Sequence, residues 1–148
     1  MSFKELNLSD NLLKAIRDQK YTDPTAIQKK AIPLILNHKD VLGSAQTGTG
    51  KTAAFALPIL QHLETKPYQK GKISALVVTP TRELAIQIGE SFTDYSKYIN
   101  IDNIVIYGGV KQLKQTNALR KKVDVLVATP GRLLDLISQG FISLNDIR

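Results

Sequence analysis

The chain has 148 residues and a mass of 16.4 kDa, which suffices for one domain with one sizeable core. Its hydrophobic content of 43% and charged content of 22% are ordinary for a globular protein, which argues against disorder. The absence of cysteine excludes disulfides, thiol nucleophiles and cysteine-ligated metals, and only two histidines are present. Because no apolar run has the length of a membrane span and the first residues lack the pattern of a secretory signal, we expect a cytoplasmic domain with no membrane partner.

The net charge is +7 and the isoelectric point is near 9.6, which permits an anionic partner such as nucleic acid without demonstrating one. Residues 1–74 carry 11 basic and 6 acidic groups, and residues 75–148 carry 9 and 7, so there is no basic tail. The tightest basic cluster, 120–122, is expected at a helix end, where cations complement the helix dipole. We therefore interpret this cluster as a solvated helix terminus.

The predicted elements begin with two helices. Ser9 or Asp10 can cap a first helix whose apolar residues Leu12, Leu13 and Ile16 share one face. The dipeptide at 23–24, Asp-Pro, is typical of the start of a second helix. After residue 40, short β-rich apolar runs alternate with segments of helical period. The predicted strands are 41–44, 73–79, 104–107 and 125–128, and the predicted helices are 51–63, 83–98, 111–119 and 132–138.

Strands that alternate with helices predict right-handed crossovers and a mostly parallel sheet between two helical layers, an α/β three-layer domain. The strands are almost entirely apolar, as expected when both faces of the sheet are buried. Ligands of such folds bind at the carboxyl ends of the strands. The segments that follow the predicted strands, expected on one edge of the sheet, are 45–52, 80–83, 108–109 and 129–132.

The first of these segments has the pattern of a phosphate-binding P-loop. It reads Ala45-Gln46-Thr47-Gly48-Thr49-Gly50-Lys51-Thr52 and lies between a predicted strand and a predicted helix. The two glycines allow the backbone amides to turn inward toward phosphate oxygens, and the helix adds its positive end. Lys51 can reach the β and γ phosphates, and the Thr52 hydroxyl can ligate Mg²⁺. The general pattern begins with glycine, whereas this loop begins with Ala45.

With this P-loop and the four blocks given next, the chain resembles the amino-terminal part of a DEAD-box ATP-dependent RNA helicase. Alanine at the first P-loop position is a habit of that family. Four further blocks match the family in order, although the family usually has glycine where this chain has Lys20. They are the Q motif at 21–28, preceded by Phe3; motif Ia, Pro80-Thr81-Arg82-Glu83-Leu84-Ala85; the double glycine Gly108-Gly109; and motif Ib, Thr129-Pro130-Gly131-Arg132.

The resemblance implies ATP and Mg²⁺ as cofactors and a RecA-like P-loop fold. It assigns catalytic roles to Lys51 and Thr52, and metal binding to Thr52. Gln28 would read adenine, because its amide offers one donor and one acceptor to N6 and N7. The alternative is that Gln28 is an exposed helix residue. Tyr21 and Phe3 would contact the base, although an aromatic residue before a helix can also be a hydrophobic staple.

The resemblance also implies that RNA is bound through its backbone, independently of sequence. The implied RNA-binding residues are Thr81, Arg82, Gly108, Gly109, Thr129 and Arg132. Each has a structural alternative. Motif Ib can be a plain turn into a helix, and Arg82 can form an ion pair with Glu83 or Glu90.

An ATPase also needs an acidic residue after a core strand to hold Mg²⁺ and polarise water. None of the predicted strands after the P-loop ends in one, since Asp124 precedes its strand and Asp135 falls on a predicted helix face. The family's Asp-Glu-Ala-Asp motif would follow Arg148. We therefore expect a Q-motif region at 1–29 and a partial first RecA-like domain at 30–148, incomplete at its carboxyl end, with the second RecA-like domain absent.

Such a fragment is expected to be inactive in ATP hydrolysis and unwinding, and an exposed apolar sheet edge would favour self-association. Two other functions stay open. A P-loop ATPase or kinase without a nucleic-acid role would bind ATP indifferently to RNA, and a non-enzymatic binding module would need only the ligand contacts. The sequence does not indicate which RNA or pathway is involved.

Overall fold

The computed structural model describes residues 1–66 and 68–148. The chain divides into two units, the first formed by residues 1–66 and 94–100 and the second by residues 68–93 and 101–148. Across these described residues, no helix is both long and apolar enough to cross a membrane.

The first unit is helical. A short 3-10 helix covers Phe3–Leu6 and is followed by α1 (Asp10–Asp18), α2 (Ala26–Leu36) and α3 (Lys51–Thr65). Ser9 caps α1, as predicted, because its hydroxyl accepts a hydrogen bond from the amide of Leu12 at 3.2 Å. The largest fully buried side chains of this unit, which contribute to its core, are Leu6, Leu12, Ile16, Ile32, Leu57 and Leu60.

Helix α2 begins later than the sequence predicted. Pro24 precedes the helix and Thr25 is its N-cap, so the predicted start at 23–24 is wrong by two residues. The reason is a capping box, in which Thr25 and Gln28 each satisfy a backbone amide of the other. The Thr-x-x-Gln spacing was a stronger start signal than the proline.

The predicted strand at 41–44 is also wrong. The structure has no regular secondary structure from residue 39 to residue 46. Val41 is 38% exposed and Leu42 is fully exposed. An apolar run shows that residues suit a strand, but a strand also requires a neighbour that takes up its backbone hydrogen bonds, and none of the described strands pairs with this segment.

The second unit contains a parallel three-stranded sheet. Its strands are β1 (Ala75–Val78), β2 (Asn103–Ile106) and β3 (Val125–Ala128), in the spatial order β1-β3-β2. The registers align Val78 and Ile106 with Ala128, so the carboxyl ends of all three strands lie at one edge. Every residue of β3 is buried, as predicted for a strand covered on both faces, whereas β1 and β2 are edge strands of this sheet and are mostly half-buried.

The helices of the second unit follow the predicted alternation. They are α4 (Arg82–Tyr95), which ends in the first unit, α5 (Leu113–Leu119) and α6 (Pro130–Ser138). Gly89 lets α4 approach β2 closely, since a Cβ there would lie 2.2 Å from a methyl carbon of Val105. Arg120 is the C-cap of α5, which confirms the expected helix end at the basic cluster. One buried hydrophobic cluster of this unit contains Ile106, Leu126, Ala128, Leu133, Leu136 and Ile142.

Asp124 connects the loops that enter the sheet. Its side chain is fully buried and accepts hydrogen bonds from the amide of Gly71 at 2.9 Å and the amide of Asp102 at 2.8 Å. The ammonium of Lys70 lies 2.5 Å from the same carboxylate and 3.2 Å from that of Asp102. This buried, fully bonded carboxylate therefore joins the segments that precede all three strands.

Thr79, directly after β1, carries an unsatisfied group. Its side-chain hydroxyl is buried and has no hydrogen-bond partner among the described residues. Replacing Thr79 with valine removes a desolvated hydroxyl at constant shape, so the free energy of unfolding should stay unchanged or rise by up to about 1 kcal/mol. The matched control is Thr116→Val, because the buried Thr116 hydroxyl donates to the carbonyl of Leu113 at 3.0 Å. That control should lose about 1 kcal/mol; a comparable loss in both urea titrations would contradict the assignment.

Candidate functional site

The P-loop segment has the backbone conformation that its glycines predict. Gly48 and Gly50 adopt φ angles of 82° and 83°, in the left-handed region that favours glycine. Gly50 is the N-cap of α3, so the loop leads directly into the amino terminus of that helix. The positive end of the helix therefore lies at the end of the glycine turn, as anion binding requires.

Two side chains of this loop form hydrogen bonds with backbone carbonyls of the same loop. The ammonium of Lys51 donates to the carbonyl of Ala45 at 2.6 Å, and the hydroxyl of Thr49 donates to the carbonyl of Gln46 at 2.5 Å. Lys51 is exposed, so a phosphate oxygen can take the place of that carbonyl without disturbing the core. No atom lies within 4 Å of a Cβ built at Gly48, which leaves open space beside the turn.

The Thr52 hydroxyl alone does not provide enough ligands for Mg²⁺, so binding of the ion would also need phosphate oxygens. The Thr52 side chain is half-buried at the start of α3 and supplies one hydroxyl. The described residues contain no group of three or more histidine or acidic side chains that could hold a metal ion. A hard cation at Thr52 would therefore take its remaining ligands from nucleotide and water.

Gln28 is buried beside the P-loop, with 3% of its surface exposed. Its amide nitrogen donates to the carbonyl of Gly50 at 3.2 Å, and its amide oxygen accepts from the backbone amide of Thr25 at 3.0 Å. The alternative of an exposed helix residue is therefore wrong. One proton and one lone pair of the side-chain amide stay uncommitted in these contacts.

The two aromatic residues implied in base contact have different surroundings. Tyr21 is 40% exposed and meets Tyr95 edge-on at a centroid distance of 6.2 Å, with the two hydroxyls 3.1 Å apart. Phe3 is 5% exposed in the short 3-10 helix. The ring of Tyr21 is thus partly accessible to a ligand, whereas Phe3 contributes to the core of its unit.

Three of the four segments predicted at one edge of the sheet lie there, namely the turns after β1, β2 and β3. Thr81 caps α4, since its hydroxyl accepts from the amide of Leu84 at 3.2 Å. Gly108 and Gly109 are exposed, and Gly109 has a φ of 79°. Thr129 is the N-cap of α6, and Pro130 occupies the first position of that helix. The P-loop belongs to the first unit and is described separately from this edge.

The two arginines of this edge have different partners. The guanidinium of Arg82 lies over the ring of Tyr107 at 4.8 Å, a cation–π contact; among the described ion pairs none joins it to Glu83 or Glu90. Arg132 is half-buried and donates to the side-chain oxygen of Gln115 at 3.1 Å and to the carbonyl of Val110 at 2.7 Å. Arg82 is the more exposed of the two cations.

Comparison with known proteins decides the family. A sequence model described as DEAD/DEAH box helicase matches residues 25–148. The chain belongs to the DEAD/DEAH box helicase family. This match contains the P-loop and the three strand-end turns, and it leaves out Phe3 and Tyr21.

Individual helicases of this family align with almost the whole chain. It is 45% identical to the ATP-dependent RNA helicase CshA of Limosilactobacillus reuteri, over 100% of this chain and 29% of that protein. It is 48% identical to the ATP-dependent rRNA helicase rrp3 of Aspergillus oryzae, over 99% and 31%, and 46% identical to the ATP-dependent RNA helicase DeaD of Escherichia coli, over 99% and 23%. The chain thus spans less than a third of these curated relatives.

A solved member of the DEAD-box family has the same fold. The crystal structure of a DEAD box protein from the hyperthermophile Methanococcus jannaschii matches with a TM-score of 0.89 and 43% identity, over 100% of this chain and 40% of that chain. The α/β fold class and the family resemblance are therefore confirmed.

Sequence reasoning missed two residues of this DEAD-box chain. Gln115 is buried, with 8% of its surface exposed, whereas Leu113 is 66% exposed, so the polar character of Gln115 did not indicate its burial. Asp124 was noted only as a residue before a strand. Its signal was a carboxylate between Val123 and Val125 in an otherwise apolar run, where a charge is retained only if it is bonded.

Proposed function

We propose that this chain forms part of the ATP- and RNA-binding first domain of an ATP-dependent RNA helicase, in which nucleotide binding is coupled to local separation of an RNA duplex. Two observations together carry the proposal. The P-loop turns at two glycines and leads into the amino terminus of α3, and the turns after β1, β2 and β3 lie at one edge of the sheet. The curated relatives named as ATP-dependent RNA helicases support it.

In this proposal the loop from Ala45 to Thr52 encloses the phosphates of ATP. The amides of the glycine turn and the amino terminus of α3 provide partial positive charge. Lys51 exchanges the carbonyl of Ala45 for a phosphate oxygen, and Thr52 offers its hydroxyl to Mg²⁺. Mg²⁺, when bound, neutralises charge that develops on the β and γ phosphates.

Gln28 is proposed to read adenine with the amide proton and lone pair that its present contacts leave uncommitted. Because the same amide bonds the carbonyl of Gly50, adenine recognition and the position of the P-loop would share one side chain. Tyr21 is proposed to flank the base with its exposed ring. A contact from Phe3 would require that residue to leave its buried position.

The sheet edge of the second unit is proposed to bind RNA through phosphate and sugar groups. Arg82 supplies an exposed cation, and Gly108 and Gly109 expose backbone amides without covering side chains. Thr81 and Thr129 supply hydroxyls beside helix amino termini. These groups read no base edges, so binding would be independent of sequence.

Three further expectations are kept as proposals. They are a cytoplasmic location, a Q-motif region at 1–29 ahead of the RecA-like segment, and self-association. The third is supported by β1, which is an edge strand of the described sheet and leaves Val78 52% exposed.

The RNA assignment is tested by replacing Arg82 with alanine. Binding of labelled single-stranded RNA is titrated at several salt concentrations. Loss of one phosphate contact should weaken binding and reduce the slope of log affinity against log salt by about 0.7 for a single strand. Two RNAs of different sequence should give the same change, because backbone contacts carry no sequence information.

Arg120→Ala is the matched control, since it removes the same charge from the exposed end of α5 rather than from the strand ends. It should leave the salt slope close to that of the parent chain. Equal effects of the two substitutions, or nucleotide binding without any RNA binding, would contradict the RNA assignment and favour a P-loop ATPase or kinase.

A further inference from the structure

Four residues form one connected path along the sheet edge, and the path includes both the ring and the backbone carbonyl of Tyr107. Arg82 stacks on the ring of Tyr107 at 4.8 Å. The carbonyl of Tyr107 accepts from the side-chain amide of Gln115 at 3.0 Å. The amide oxygen of Gln115 in turn accepts from Arg132 at 3.1 Å. The path therefore runs from the turn after β1, through the turn after β2, to the helix after β3.

The turn after β2 is held at both of its ends by this path. Gln115 binds the carbonyl of Tyr107, and Arg132 binds the carbonyl of Val110 at 2.7 Å. Between them lie Gly108 and Gly109, and no atom lies within 4 Å of a Cβ built at either position. The space where a Cβ would stand is therefore open at both glycines, and the two carbonyl contacts are the described side-chain hydrogen bonds that hold the turn.

Gln115 suits this place because of its chemistry and its burial. It is 8% exposed, so water competes little for its amide. The two partners of Gln115 have opposite requirements. The carbonyl of Tyr107 needs a hydrogen-bond donor, and the guanidinium of Arg132 needs an acceptor. A planar amide provides both, whereas glutamate lacks the donor and methionine lacks both.

We propose that Gln115 is a positioning residue for RNA binding, which holds the glycine turn and Arg132 in the geometry that the RNA backbone requires. Arg132 then acts mainly through the turn, as a brace between Gln115 and Val110, and not as a free phosphate ligand. The proposal rests on the proposed RNA-binding function of this edge. It extends that function in two ways. Gln115 supports RNA binding without touching RNA, and Arg132 braces the glycine turn.

The test compares Gln115→Met with Thr116→Val. Methionine keeps the approximate size of glutamine and removes both hydrogen bonds. Thr116 is the neighbouring buried residue of α5, and its hydroxyl bonds only within that helix. Both variants should lose some stability in urea titrations, but only Gln115→Met should disturb the turn. Amide NMR signals of Gly108 and Gly109, recorded without RNA, report the turn directly.

For Gln115→Met we expect shifted signals of Gly108 and Gly109 and RNA binding weakened by about tenfold, the effect of roughly one lost hydrogen bond. The salt slope should stay unchanged, because no charge is removed. Thr116→Val should change neither the glycine signals nor the affinity. Parent-like glycine signals and affinity in Gln115→Met would overturn the proposal.

Arg132→Lys provides a second variant if the methionine variant fails to fold. Lysine keeps the charge but lacks the planar fork that spans Gln115 and Val110. We expect it to reproduce the glycine shifts and the weaker RNA binding with an unchanged salt slope. Unshifted glycine signals in this variant would overturn the bracing role. If the glycine signals shift while the parent chain binds no RNA, the brace is present but the proposed RNA function, and the positioning role with it, fails.

Discussion

Replacing Asp124 with asparagine is expected to lower the free energy of unfolding of the sheet-containing unit by about 3–5 kcal/mol, the usual cost of removing one partner from a buried ion pair. Asparagine keeps one oxygen, but its NH₂ group would face donors that now point at the carboxylate. Those donors are the amides of Gly71 and Asp102 and the ammonium of Lys70.

The electrostatics of Lys70 support this expectation. Partial burial by itself lowers the pKa of Lys70, but hydrogen bonds to Asp124 and Asp102 raise it above its ordinary value overall. A raised lysine pKa in the folded state adds stability below the ordinary lysine pKa, and that stability is lost as the pH rises through the folded pKa. At neutral pH the Lys70 ammonium therefore stays charged, and its contribution to stability is fully present.

Asp102→Asn is the matched control for the Asp124 variant. The Asp102 side chain is 58% exposed and contacts only Lys70, at 3.2 Å, in the described ion pairs. Its loss should cost less than about 1 kcal/mol, as for other exposed pairs. Urea unfolding, together with amide exchange of Leu126 and Val127 in β3, measures both variants. Similar losses in the two variants would contradict the central role of Asp124.

Replacing Gly50 with alanine is expected to destabilise the first unit by about 2–4 kcal/mol and to abolish nucleotide binding. The residue has a φ of 83°, and an added Cβ would lie 2.2 Å from the side-chain nitrogen of Gln28. The substitution therefore combines left-handed backbone strain with loss of the hydrogen bond between Gln28 and the carbonyl of Gly50. Both effects act where α3 begins.

Gly48→Ala separates strain from steric overlap. Gly48 has nearly the same φ, 82°, but nothing lies within 4 Å of its added Cβ. Its cost should be the backbone strain alone, about 1–2 kcal/mol. Thermal unfolding and binding of a fluorescent adenine nucleotide measure both effects. If Gly48→Ala proved as damaging to stability as Gly50→Ala, the contact with Gln28 would not be the cause.

Local patterns predicted most of the fold. Strand β3 was predicted residue for residue because its four residues are apolar and buried on both faces. The amino-terminal boundary of α3 followed from the glycine before Lys51, and that of α1 from Ser9. In each of these places the signal lies within a few residues of the element, so no information from distant parts of the chain was needed.

The failures depended on distant partners. The apolar run at 41–44 suited a strand, but pairing depends on residues far away in the sequence. The contacts of Gln115 join α5 to the turn after β2 and to α6, which no periodicity in α5 reveals. Gln28 was predicted as a base-reading residue, a role that stays a prediction, and its contact with the carbonyl of Gly50, 22 residues away, became visible only in three dimensions.

The most direct test of nucleotide binding by the P-loop is an amide NMR titration of the chain with ATP and Mg²⁺, repeated with Lys51→Met. Lys51 is exposed and its ammonium bonds only the carbonyl of Ala45 in the described contacts, so this variant should fold normally. We predict that the largest shifts fall on the amides of residues 46–52 and that the variant binds at least about tenfold more weakly, as expected for loss of a charge-assisted contact. Shifts centred elsewhere, or equal affinity in the variant, would contradict the assignment of this loop.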